Sequence, residues 1–159
     1  MFRVGTGYDL HRLAAGRPLI LGGVEIDHLS GLEGHSDADV LLHALMDAML
    51  GAAGLRDIGY YFPPGDPEYK NISSLLLLEE VRAHVEQEGY RLVNADTVII
   101  AEAPRLAPYI EEMKKKTAAA LRISPKLISI KATTTEGLDS CGRGEAVAAQ
   151  AVVLLSLTK

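Results

Sequence analysis

The sequence predicts one α+β domain: a layered sandwich of a mixed four-stranded β-sheet and a small hairpin, with helices packed on one face. Three observations carry this. Apolar residues recur at helical spacing from Val40 to Met49 and again from Ile72 to about Glu88. Apolar runs of strand length open and close the chain. In order, the elements read strand, hairpin, helix, helix, strand, helix, strand, strand, which builds a mixed sheet with helices on one side.

The first strand is centred on Val4 to Arg12 and ends in Asp9-Leu10-His11. Arg17–Leu21 and Val24–Ile26 flank Gly22-Gly23, whose freedom at positive φ suits a tight hairpin. Gly31 to Ser36 reads as a glycine-rich loop. Ser36 and Asp37 are N-cap candidates for the first helix, and Gly51 and Gly54 are its stop signals. Asp39, His43 and Asp47 stand four apart on one stripe of that helix, which is either a buried polar site or a solvated face. Gly54 to Glu68 holds three prolines in five residues and reads as a long loop, since proline lacks the amide donor and fixes φ. The second helix starts near Ser73 and stops at Gly89. Tyr90 to Ala101 is a long strand with an internal end, and Tyr109 to about Arg122 a third helix. Leu127 to Ala132 is a strand, and Thr133 to Gly144 a polar loop broken by glycines. The apolar run Ala146 to Leu157 fits helix or strand by period alone; its valines, and a sheet that needs completing, favour strand.

Composition narrows the function classes. The 159 residues fit one domain with a sizeable core, and a net charge of -5 excludes a general basic field for nucleic acid or anionic membranes. Lys114–Lys116 is the only basic run and sits on a helix face. A single cysteine, Cys141, excludes an internal disulfide framework and fits a reducing compartment, with the cytoplasm as the default. Neither a targeting segment nor an apolar run of spanning length is visible.

Chemistry concentrates in few places. On a strand, Asp9 and His11 share one face about 7 Å apart. This is either half of a metal site or a polar strand end, because a catalytic zinc needs a third protein ligand. The segment Lys131 to Glu145 offers Lys131, the hydroxyls of Thr133, Thr134 and Thr135, Arg143 and exposed loop amides to phosphate oxygens, or its hydroxyls satisfy their own backbone. Glu136 among phosphate donors makes sense with a hard divalent cation between them. Cys141 has no activating histidine nearby in sequence, and no P-loop, Gly-x-Ser-x-Gly elbow or dinucleotide fingerprint is present.

The blocks GYDLHR, HSDADVLLHALMDAMLGAAGLRDIGYYFPPGDPEYK, AEAPRLAPY and KATTTEGL with GRGE, in this order, resemble the 2-C-methyl-D-erythritol 2,4-cyclodiphosphate synthase family over essentially the whole chain. The resemblance implies a lyase of the methylerythritol phosphate route to isoprenoids, assembled as a homotrimer with each active site between adjacent subunits. It implies zinc held by Asp9, His11 and His43, with the fourth position left for a substrate phosphate. His35 and Ser36 would contact phosphate, and Asp57, Ile58 and Gly59 the methylerythritol hydroxyls. The loop Phe62, Pro63, Pro64, Gly65 and Asp66 would close over them. Ala101, Glu102, Ala103, Pro104, Arg105, Leu106 and Ala107 would form the cytidine diphosphate pocket with Thr133, Thr134, Thr135 and Glu136. Glu136 would hold magnesium or manganese, His35 and Thr134 would stabilise the transition state, and Arg143 would contact substrate. The partners implied are the cytidine diphosphate-linked substrate and two further copies of the chain, with no nucleic acid and no membrane.

Asp139 and Ser140 stand where many members have glycine and a bulky aromatic that lines a cavity on the trimer axis; with Gln150, they predict weak or absent isoprenoid diphosphate binding. The resemblance is to the cyclase blocks and not to the cytidylyltransferase domain fused to them in some members, so the cyclase activity alone is expected. Asp47, one turn after His43, is expected to orient that imidazole. The competing readings are a zinc phosphoester hydrolase, which would release inorganic phosphate, and an acidic trimeric binding protein without turnover.

Overall fold

Residues 1–158 are described in a computed structural model. The first strand is longer than its apolar centre, β1 (Phe2–Ala15), because it pairs antiparallel with the last, β7 (Ala146–Leu157), from Phe2 opposite Ser156 to Arg12 opposite Ala146. On the far side of β7 lies β5 (Tyr90–Ile100), antiparallel to it, and β6 (Ile128–Thr133) runs parallel to β5. The last apolar run is therefore a strand. It is the middle of the sheet: Val147, Ala149, Ala151, Val153 and Leu155 are buried towards the helices, and Gln150 and Val152 on the other face are exposed.

The sheet has five strands where the sequence predicts four. The addition is β4 (Ser30–Leu32), which pairs with Leu13–Ala15 at the end of β1 and gives the order β4-β1-β7-β5-β6. A three-residue strand centred on glycine carries no alternation to read, and only its partner across the sheet makes it a strand. β2 (Leu19–Leu21) and β3 (Val24–Ile26) form the expected hairpin, with Gly22 and Gly23 both at positive φ.

Three long helices, α1 (Val40–Ala53), α3 (Ser74–Gln87) and α4 (Ile110–Leu121), cover one face of the sheet. Between the first two lies the short α2 (Ile58–Tyr61). Gly51 lies inside α1, and Gly54, at φ 80°, ends it. The core between the layers is built from α1 residues such as Leu41, Leu42, Leu45 and Met49 against Ala149, Ala151 and Val153 of β7. β1 lies against α1 through Gly5 and Gly7. A Cβ on Gly7 would stand 2.0 Å from the carbonyl oxygen of Ala44, and one on Gly5 1.9 Å from that of Ala48.

Asp39, and neither Ser36 nor Asp37, caps α1. Its fully buried carboxylate accepts the Leu42 amide at 3.1 Å and the amides of Gly22 and Gly23 at 3.0 and 2.7 Å, so one side chain starts the helix and pins the hairpin turn. Both hairpin glycines are at positive φ, and a Cβ on Gly22 or Gly23 would stand under 3 Å from Met113 or Leu75. Asp39→Ala is expected to lower stability by about 2–4 kcal/mol, from a lost cap and two buried amides without acceptors. Denaturant midpoints measure this.

The other face of the sheet carries none of these three helices; only a single turn, Asp139–Gly142, packs its Cys141 there against Ala146, Ala148 and Ile100. Phe2, Val4, Tyr8 and Leu10 of β1 and Val152 of β7 are exposed there. No helix of the described residues is long and apolar enough to cross a membrane.

Candidate active site

Period two places Asp9 and His11 on the same face of β1 as Gly5 and Gly7, the face that α1 covers. His43, in the first turns of α1, meets them there. Asp9 Oδ2 lies 2.9 Å from His11 Nε2 and 3.0 Å from His43 Nδ1, and the two nitrogens are 3.3 Å apart. A tetrahedral zinc with bonds of about 2.0–2.1 Å sets its ligand atoms roughly 3.3 Å apart, so this donor set fits zinc.

The tautomers agree with that fit. His11 Nδ1–H donates to the carbonyl of Glu33 at 2.6 Å, which leaves the Nε2 lone pair facing Asp9. His43 Nε2 lies 3.2 Å from Ser36 Oγ and 3.1 Å from Ser74 Oγ, so a proton on Nε2 leaves Nδ1 facing the same point. Burial alone would raise the pKa of Asp9, but hydrogen bonds and charge from the two histidines hold it well below the usual carboxylate range. Burial works to lower His11, and Asp9 with the Glu33 carbonyl reverses this and raises it.

Asp47 does not orient His43. Its carboxylate accepts the Ile58 amide at 2.8 Å and ties α2 to α1. Burial raises its pKa, and the nearby charges of Asp57 and Asp9 add to this against the pull of the Ile58 amide. Asp57 caps α2 by accepting the Tyr60 amide, so the predicted Asp57–Gly59 loop begins a one-turn helix instead.

The three donors open into a cavity of about 240 Å³, whose wall also includes His35, Ser36, Ile58, Gly59, Phe62, Pro64 and Leu77. Pro63, Gly65 and Asp66 belong to the same loop but do not line the cavity. Asp66 anchors it, its carbonyl accepting from His35 Nε2 at 2.6 Å. Leu77 and the Ser74 hydroxyl, which come from the start of α3, are absent from the sequence reading of the site. A serine at a helix start reads as a cap until the partner 31 residues away is placed beside it.

A second cavity, of about 330 Å³, lies where β5 and β6 end. Parallel pairing sets these ends side by side, with the Ala101 amide donating to the Thr133 carbonyl at 3.0 Å. Ala101, Glu102, Pro104, Arg105, Leu106, Ala107, Thr133 and Thr134 line it. Ala103, Thr135, Glu136 and Arg143 do not. Thr135 bonds to the Leu138 carbonyl, Glu136 accepts from Thr134 Oγ1 at 3.0 Å, and Arg143 pairs with Glu145. The polar loop that follows contains a short helix, α5 (Asp139–Gly142), and burial together with the charge of Asp139 raises the pKa of its Cys141. The two cavities share no lining residue.

The YgbB family model matches residues 2–156. A 2-C-methyl-D-erythritol 2,4-cyclodiphosphate synthase of Moorella thermoacetica is 64% identical over 153 residues, covering 96% of this chain and 94% of that one. The bifunctional IspDF of Campylobacter jejuni superposes with a TM-score of 0.96 at 40% identity over all of this chain, which spans 43% of the bifunctional one. A 2C-methyl-D-erythritol-2,4-cyclodiphosphate synthase in its CDP-bound form superposes at 0.88 with 39% identity, covering 97% of this chain and 100% of its own. The chain thus belongs to the YgbB family, and it is an enzyme of the cyclodiphosphate synthase type.

Proposed function

We propose that this chain converts 4-diphosphocytidyl-2-C-methyl-D-erythritol 2-phosphate into 2-C-methyl-D-erythritol 2,4-cyclodiphosphate and CMP, as a cytoplasmic homotrimer in the methylerythritol phosphate route to isoprenoids. The observation that carries the reading is the convergence of Asp9, His11 and His43 on one cavity, in a chain whose near-equal-length relatives carry that enzyme's name.

The reaction is intramolecular. An oxygen of the substrate's 2-phosphate bonds to the β-phosphorus, the bond from that phosphorus to the oxygen bridging the α-phosphate breaks, and CMP leaves with the electron pair. No protein nucleophile takes part, in keeping with a buried Cys141 whose pKa is raised. The protein's work is positioning, which can supply on the order of 7 kcal/mol, together with charge stabilisation. Asp9, His11 and His43 would hold zinc and Glu136 a magnesium or manganese ion; bound there, the cations supply positive charge to the phosphate oxygens. His35 and Thr134 would donate to the oxygens on which charge develops, with Ser36 and Arg143 as further phosphate contacts. Asp57, Ile58 and Gly59 would hold the methylerythritol hydroxyls under the Phe62–Asp66 loop. The cavity at the ends of β5 and β6 would take the cytidine.

Two features favour a site shared between copies: the two cavities are separate in one chain, and β1 presents apolar side chains on the open face of the sheet. The expected solution mass is three times the 17.1 kDa of the chain, and Val4→Asp on that face is expected to release monomers. Sedimentation measures both, and a wild-type monomer would end the shared-site reading.

Phosphorus NMR with the cytidylated substrate tests the reaction. A cyclic diphosphate and CMP are expected. Inorganic phosphate as the product would establish the hydrolase in its place, and no turnover the binding protein.

A further inference from the structure

His43 has two hydroxyls within reach of one nitrogen, and they differ in what stands behind them. Ser74 Oγ–H donates to Asp37 Oδ1 in a short hydrogen bond, and the Ser74 amide donates to Asp37 Oδ2 at 2.9 Å. Both oxygens of one carboxylate therefore grip one serine. Asp37 is itself fixed, its amide donating to the Ile72 carbonyl at 3.0 Å. Ser74 is fully buried. A hydroxyl that gives its proton to a carboxylate has only lone pairs left for its other neighbour, and here that neighbour is His43 Nε2 at 3.1 Å. Ser36 Oγ, at 3.2 Å, has no carboxylate behind it and already accepts the Ala38 amide at 3.1 Å.

We infer that Ser74 and Asp37 are positioning residues for the metal centre: Asp37 polarises the Ser74 hydroxyl, which accepts the Nε2 proton of His43 and so presents the Nδ1 lone pair to the metal. The inference rests on the zinc reading above. Ser74, through Asp37, does what the sequence assigns to Asp47. A carboxylate acting through a hydrogen-bonded intermediary fixes the tautomer and ring orientation and raises the basicity of the ligating nitrogen. The assignment also separates the two serines. With Nε2 a donor, the Ser36 proton has no acceptor in this cluster and is left for the cavity that Ser36 lines, where a phosphate oxygen can take it.

Zinc competition against a chromophoric chelator, on the full chain, tests this without reference to turnover. Ser74→Ala and Asp37→Asn are each expected to weaken zinc binding by about 10–100-fold, while Ser36→Ala stays within about threefold of wild type. Melting of the metal-free proteins shows whether each variant is folded. If Ser74→Ala does not fold, Asp37→Asn, which replaces one carboxylate oxygen with an amide, decides the matter by the same threshold. Wild-type affinity in the folded Ser74 and Asp37 variants overturns the inference and leaves the metal centre standing, as does a loss in Ser36→Ala alone. Absence of zinc binding by the wild-type chain overturns both.

Discussion

His43→Gln is expected to lower kcat/KM by about a thousandfold or more and to leave the purified protein without zinc. The magnitude follows from charge: stabilising a phosphoryl transition state by a bound metal is worth several kcal/mol, and about 4 kcal/mol is a factor of a thousand. Each donor is indispensable because there are only three, and each is aimed by a partner. The Glu33 carbonyl aims His11, and Asp9 Oδ2 stands within 3.0 Å of both imidazoles. Asp9→Asn is expected to cost nearly as much, because one carboxylate oxygen becomes an amide donor or the acceptor loses its charge. Zinc content by atomic emission after dialysis, set beside kcat/KM, measures the effect. Wild-type rate in a zinc-free His43→Gln protein would remove the metal from the mechanism, and full zinc occupancy with wild-type rate would remove His43 from the donor set.

Local pattern and long-range contact divide what the sequence discloses. α1 and α3 are legible because each repeats a helical period over ten residues or more, and β1 and β5 because their apolar runs have strand length. The hairpin is legible from Gly22-Gly23. β4 is not, since three residues hold no period and its strand character comes from Leu13–Ala15. The cap of α1 is misplaced for a similar reason: Ser36, Asp37 and Asp39 are equivalent in sequence, and the hairpin glycines whose amides donate to Asp39 lie 16 and 17 residues away. Asp9 and His11 can be paired from strand period alone, yet His43 joins them only through the family resemblance or the structure. The four-residue spacing that links His43 to Asp47 is real, but Ile58 takes that carboxylate. Ser74 lies in a helix start like many others, and nothing local marks it as a neighbour of His43.

Gly7→Ala is expected to be among the most damaging single-methyl changes in the chain, and to act on the metal centre without touching it. The added Cβ would meet the Ala44 carbonyl oxygen at 2.0 Å and the Ala48 amide nitrogen at 2.8 Å, both backbone atoms of a packed helix. No rotamer change relieves such a contact, so β1 and α1 must separate. Overpacking of this kind costs about 3 kcal/mol. The separation carries His43 away from Asp9 and His11, because the first comes from α1 and the others from β1. A displacement of about 1 Å is enough to cost on the order of a hundredfold in a positioned site. Gly51→Ala is the control: it lies on α1 with nothing within 4 Å of the added carbon, and is expected to stabilise by up to about 1 kcal/mol through helix propensity. Denaturation midpoints and zinc affinity, measured on both variants, should fall together in Gly7→Ala and hold or rise in Gly51→Ala. Wild-type zinc affinity in Gly7→Ala would show that the triad tolerates a change in the spacing between strand and helix, and that the glycines of β1 serve packing alone.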